Sequence, residues 1–291
     1  MDLLLVRIVS VVLIAAAYML FDIFNNRNVP GMFAYATLGY GAVLTLLYLN
    51  TATILTSTAI ALIVLGIGYL VYRAGQLGAA DVIEFASLSL IIPIQPMPLL
   101  MGNLLQFGMP FVVSIMIGAG IAALVIVPLY YIPKARRANR FLQVSRRSAL
   151  KAATIAGAYL MFMVVIEETM GITLRGWVIL AVLFMGSAII TLFEDPITSA
   201  MVRYTPVGGF DEGDLIALNL MSRRDIEATR KRVKCFNRLV TSELIEEMHA
   251  KHIKRKFPVY KEALPLALPI FIGVAISLLF GDIFIFILPV L

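Results

Sequence analysis

Cysteine is almost missing from this chain of 291 residues, which carries only Cys235. A disulfide framework or a cysteine-rich zinc site within one chain needs several thiols, so both are excluded and Cys235 is expected simply to pack. Histidine is nearly as scarce. His249 and His252 stand three apart in a lysine-rich stretch, and no nearby ligand pattern completes a metal site around them. Charge is thin as well: 14% of residues are charged and 60% hydrophobic, with a mean hydropathy of +0.93. These proportions exclude an ordinary soluble domain and describe a polytopic membrane protein. Internal repeats and low-complexity tracts are also missing.

What is present is a succession of apolar runs. Crossing hydrocarbon takes roughly 20 helical residues. Runs of about that length fall at about 3–21, 31–49, 52–72, 81–95, 109–132, 149–166, 176–193 and 264–289, eight in all. The first is too long for a cleaved secretory signal and lacks a small-residue cleavage pattern. The Pro-rich IIPIQPMPLL closes the fourth.

The net charge of +6 is explained by position rather than by nucleic acid. If successive helices alternate, NNRNVP, YRAGQLGAA, PKARRANRFLQVSRRSALK and the hydrophilic stretch from Glu194 to Glu262 share one side. That side then holds every Lys and Arg except Arg7 and Arg175, which assigns it to the cytoplasm. The seven basic residues from Lys134 to Lys151 read as an anchor against anionic lipid headgroups. Gly66 and Gly68 in the third run would allow close helix packing. The predicted fold class is all-α, with about eight transmembrane helices and a small cytoplasmic domain before the last helix. Within that domain, SRRDIEATRKRVKCFNRLVTSELIEEMHAKHIKR reads as helical, with Ile226, Val233, Phe236, Val240 and Leu244 on one face.

Two acidic residues need a reason. The predicted topology brings Asp22, at the inner end of the first helix, and Asp81, at the start of the fourth, to one depth on one side of the bilayer. Asp81 at a helix N-terminus suits a cap. Asp22 lies near a helix C-terminus, where the dipole disfavours negative charge unless the group is solvated at the interface. Ionisable groups at membrane depth also read as functional. As a pair they have the chemistry of an aspartyl protease, in which one carboxylate takes a proton from the attacking water and the other donates to the peptide carbonyl. The helix ends suggest Asp81 as the base and Asp22 as the proton donor.

Gly78-Ala79-Ala80-Asp81 fits the Gly-x-hydrophobic-Asp variant of the GxGD motif, and FDIFNNRNVPGMF around Asp22 has an Asp followed by Arg, Pro and a second apolar helix. With the four-helix spacing and the C-terminal ALPLALPIFIGVAISLLFGD, the chain resembles the archaeal preflagellin and prepilin peptidases, GxGD-type membrane aspartyl proteases related to type IV prepilin peptidases. The resemblance is most specific over residues 1–95. It implies an endopeptidase that removes the basic leader of pilin-like or flagellin precursors at the cytoplasmic face, with Asp22 and Asp81 as the catalytic pair. The implied partners are those precursors and membrane lipid, without nucleic acid. No cofactor or metal is implied, and a chelator should leave activity unchanged. One cysteine and the short segment before Asp22 also argue against the methyltransferase domain of bacterial relatives.

Many members place Lys shortly after the second Asp, where this chain has Val82, Ile83 and Glu84. The helices at about 149–193 look like an addition to the compact preflagellin peptidase plan and lean the reading toward pilin-like precursors. Residues 1–133 would form the membrane catalytic core, 134–194 a basic loop and added helical hairpin, 195–262 the cytoplasmic region and 263–291 the last span. Glu84, one turn beyond Asp81, would contact substrate or tune the pair. Asp211, Glu212 and Asp214 would attract a basic leader or form a solvated loop. A second GxGD-like site at Asp214 is set aside, because Leu215 to Met221 is too short to span a bilayer. Two other classes stay open at this point: a transporter using the same carboxylates for protons or ions, and a noncatalytic membrane assembly factor. The sequence shows neither midplane ionisable groups nor inverted repeats, which a transporter would be expected to have.

Overall fold

A computed structural model describes residues 3–25, 29–47, 50–74, 77–100, 108–137, 144–233, 236–260 and 266–282. Cys235 and the centre of the basic run, 138–143, lie outside the described residues. A helix forms in each apolar run: α1 Leu3–Phe24, α2 Gly31–Leu46, α3 Thr51–Arg73, α4 Ala79–Ile91, α5 Phe111–Arg137, α6 Arg146–Met170, α7 Leu174–Leu192 and, after the intervening elements, α11 Ala267–Phe280. Five of them (α1, α3, α5, α6 and α7) are long and apolar enough to cross a membrane, against the eight expected. The others have 16, 13 and 14 residues. Proline explains one short helix. Ile92 precedes Pro93, which forces it to φ −130° and ψ 98°, so α4 stops at Ile91.

The core forms around α4, which packs against α1, α2 and α3 and has every residue from Glu84 to Ile91 buried. Small residues set the spacing. A Cβ on Gly68 of α3 would lie 2.4 Å from Val82 Cγ1, whereas Gly66 has nothing within 4 Å, so only the first of these glycines admits a neighbouring helix. α5 and α11 cross with Gly273 against the α5 backbone, where a Cβ would fall 2.5 Å from Ile115 O. Polar ends are matched with equal care. Arg7 is buried in α1 and donates Nη1 to Ile91 O at 2.8 Å and Nη2 to Leu44 O, carbonyls in the C-terminal turns of α4 and α2. That bond also fixes direction: the start of α1 lies beside the end of α4, so their opposite ends carry Asp22 and Asp81. By contrast only 11% of the most apolar stretch of α3, and the same share of α6, is buried inside the protein, the pattern of helices whose outer faces meet hydrocarbon.

The segment after α7 is a small mixed α/β region, which corrects the all-α expectation. α8 (Glu194–Met201) leads into β1 (Val202–Pro206), β2 (Leu215–Ile216), α9 (Arg223–Arg232), α10 (Ser242–Ala250) and β3 (Lys256–Tyr260). The sheet order is β1-β3-β2, antiparallel, with Tyr204 opposite Pro258 and Ile216 opposite Val259. The expected continuous helix is two helices, because the chain turns extended at Val233 and passes Leu239 beside Leu215 before Thr241 caps α10. Val233, Phe236, Val240 and Leu244 nevertheless meet in one core with Ile216, Met248, Phe257 and Val259. Their helical spacing therefore marked burial correctly and continuity wrongly.

Candidate active site

Asp22 sits in the last turn of α1 and is 9% exposed. Aromatic contacts hold this end of α1 on α2: the Phe33 ring lies 4.9 Å from that of Phe21 and 5.2 Å from that of Tyr18. Asp81 is the third residue of α4. Its Oδ2 accepts the backbone N–H of Gly78 at 3.1 Å, so the capping role is real, and it satisfies one of the orphan donors at the helix start. Asp81 and, one turn further on, Glu84 lie at the end of the bundle that also carries Asp22, within electrostatic range of it.

Glu84 is 0% exposed, and neither of its carboxyl oxygens has a hydrogen-bond partner among the described residues. Substrate contact by Glu84 would require the helices around it to part. Beside it lies a polar network that the sequence reading missed. Tyr18 Oη and Thr37 Oγ1 are 3.0 Å apart, Thr37 Oγ1 donates to Ala34 O at 2.8 Å, and Ser87 Oγ lies 3.4 Å from Thr37. The Tyr18 ring system is within electrostatic reach of Glu84 and Asp81. A signal existed: Tyr18 precedes Asp22 by one helical turn, and Thr37 and Ser87 interrupt apolar runs.

Asp211, Glu212 and Asp214 occupy a turn between β1 and β2, in the α/β region. Asp211 and Glu212 are exposed; Asp214 Oδ2 accepts the Asp211 N–H at 2.8 Å, and Gly213 adopts φ 93° to close the turn. His249 lies in the last turn of α10, and His252 follows the helix at φ 52°. Among the described residues, no group of three or more His, Cys, Asp or Glu side chains is arranged to hold a metal ion. No protein-family model, curated protein or solved structure matches the chain.

Proposed function

We propose that the chain is a membrane aspartyl endopeptidase acting on the basic leader of pilin-like or flagellin precursors at the cytoplasmic face. One observation carries the reading: the Arg7–Ile91 bond sets the start of α1 beside the end of α4, so Asp22 in the last turn of α1 and Asp81 in the first turn of α4 lie at the same end of the bundle. The GxGD-like Gly78–Asp81 segment and the resemblance over residues 1–95 support it. In this reading all eight apolar helices cross the bilayer, the three shorter ones completed by flanking chain, and the Lys- and Arg-rich side is cytoplasmic.

The chemistry follows from two carboxyl groups around one water. The ionised member takes a proton as the water oxygen attacks the peptide carbonyl, and the protonated member gives its proton to that carbonyl oxygen. Collapse of the resulting diol breaks the C–N bond, and the amine leaves with a proton returned by the pair. The exposed Asp211 and Glu212 would draw a basic leader toward the membrane surface through long-range attraction. Incubating the purified protein with candidate archaeal pilin precursors and sequencing the new N-terminus tests the proposal. A single cut after the basic leader supports it, and intact precursor with a folded enzyme contradicts it.

A further inference from the structure

At the end of the bundle opposite Asp22 and Asp81, buried oxygen atoms gather around the last turn of α11. Backbone and side-chain donors take the helix's final carbonyls. Ser277 O accepts Gln95 Nε2 at 2.7 Å and the Gly281 N–H at 2.9 Å, while Leu278 O and Leu279 O accept the N–H groups of Leu99 and Leu100 at 3.1 and 3.0 Å. Gly281 then reverses the chain at φ 82°, where a Cβ would come within 3.3 Å of Pro98, and delivers Asp282 back toward α5. Ser114 Oγ donates to Asp282 Oδ1.

Three oxygens have no hydrogen-bond partner among the described residues: Gln95 Oε1, Ser277 Oγ and Asp282 Oδ2, on residues 5%, 0% and 2% exposed. The Gln95 amide cannot simply be reversed, because its nitrogen end faces two carbonyls, those of Ser277 and Pro96. A carboxylate and two neutral oxygens thus meet the negative end of a helix dipole in a buried setting, and no Lys or Arg forms an ion pair with Asp282 among the described residues.

We infer that Gln95, Ser277 and Asp282 bind a small monovalent cation of the sodium class. The donors are hard oxygens, which select such ions over thiophilic metals, and a single carboxylate balances one positive charge rather than two. The ion would tie the segment after α4 to the end of α11, locking the outer side of the bundle. This site stands at the far end from the carboxylate pair and does not depend on the protease reading.

Thermal unfolding of the purified full-length protein, compared in sodium chloride and choline chloride at equal ionic strength, tests it. The expected result is a saturable sodium-dependent rise in Tm of about 3 °C, lost in Asp282→Asn and reduced in Ser277→Ala. Should Asp282→Asn fail to fold, sodium-23 line broadening by the wild type and its decrease in Ser277→Ala decide the matter. Equal unfolding of the wild type in both salts overturns the inference, as does a full sodium response in Asp282→Asn or, where that variant does not fold, undiminished line broadening in Ser277→Ala.

Discussion

The backbone N–H of Gly78 holds Asp81 Oδ2 at 3.1 Å, so the carboxylate proposed for catalysis is oriented by the first turn of its own helix. Gly78 has φ −75° and ψ 151°, which any residue adopts, but a Cβ there would stand 2.9 Å from Oδ2. Space, rather than backbone conformation, sets the constraint, because an added methyl would push the carboxylate aside. Gly78→Ala should therefore fold normally and displace the carboxylate. Leader cleavage is expected to fall roughly ten- to hundredfold, the cost of a misplaced reacting group, with Tm little changed.

The α3–α4 contact should be repairable. Gly68→Ala drives a methyl into Val82 and is expected to destabilise by about 1–3 kcal/mol. Val82→Ala in the same chain should restore most of that loss, which a double-mutant cycle of unfolding free energies measures.

Glu84 presents a trade of stability against function. A fully buried carboxyl group without hydrogen-bond partners among the described residues is costly, and Glu84→Leu fills a similar volume without that cost. The variant should unfold at a higher temperature, by about 1–3 kcal/mol of added stability. Its cleavage rate should drop, because the group beside Asp81 and Asp22 is gone.

Acid should loosen the α/β region. Arg255 Nη2 lies 2.6 Å from Asp225 Oδ2, linking the start of α9 to the approach to β3. The hydrogen bond from Arg255 is the main cause that holds the Asp225 carboxyl below the usual carboxylate range, with Ser222 adding to it. A depressed folded value means the contribution is present above the unfolded pKa of about 4 and fades as pH falls below it toward the folded value. Asp225→Asn should remove that part of the acid dependence, as followed by hydrogen exchange in α9 between about pH 5 and pH 2.

The apolar helices were legible because a run of nonpolar side chains admits few other outcomes, and the stop of α4 was written in Pro93. The α/β region was not. Its middle strand, KFPVY, carries Pro258, a residue that argues against a central strand, and the steps between Ile226, Val233, Phe236, Val240 and Leu244 imitate one helix although α9 and α10 are separate helices. At the candidate site, Asp22 and Asp81 were singled out by motif and by counting helices, and the structure bears on their placement only through the shared end of α1 and α4. The Tyr18, Thr37 and Ser87 network escaped because hydroxyl groups in apolar helices usually bond to their own backbone, as Ser87 also does to Ile83 O at 2.7 Å.

The central claim is that Asp22 and Asp81 act as one catalytic unit, and matched asparagine variants test it most directly. Asparagine preserves shape and can still cap α4, so folding should survive while proton transfer is lost. Cleavage of a pilin-like precursor in membranes should be abolished in Asp22→Asn, in Asp81→Asn and equally in the double variant. Wild-type cleavage by either single variant would contradict the account.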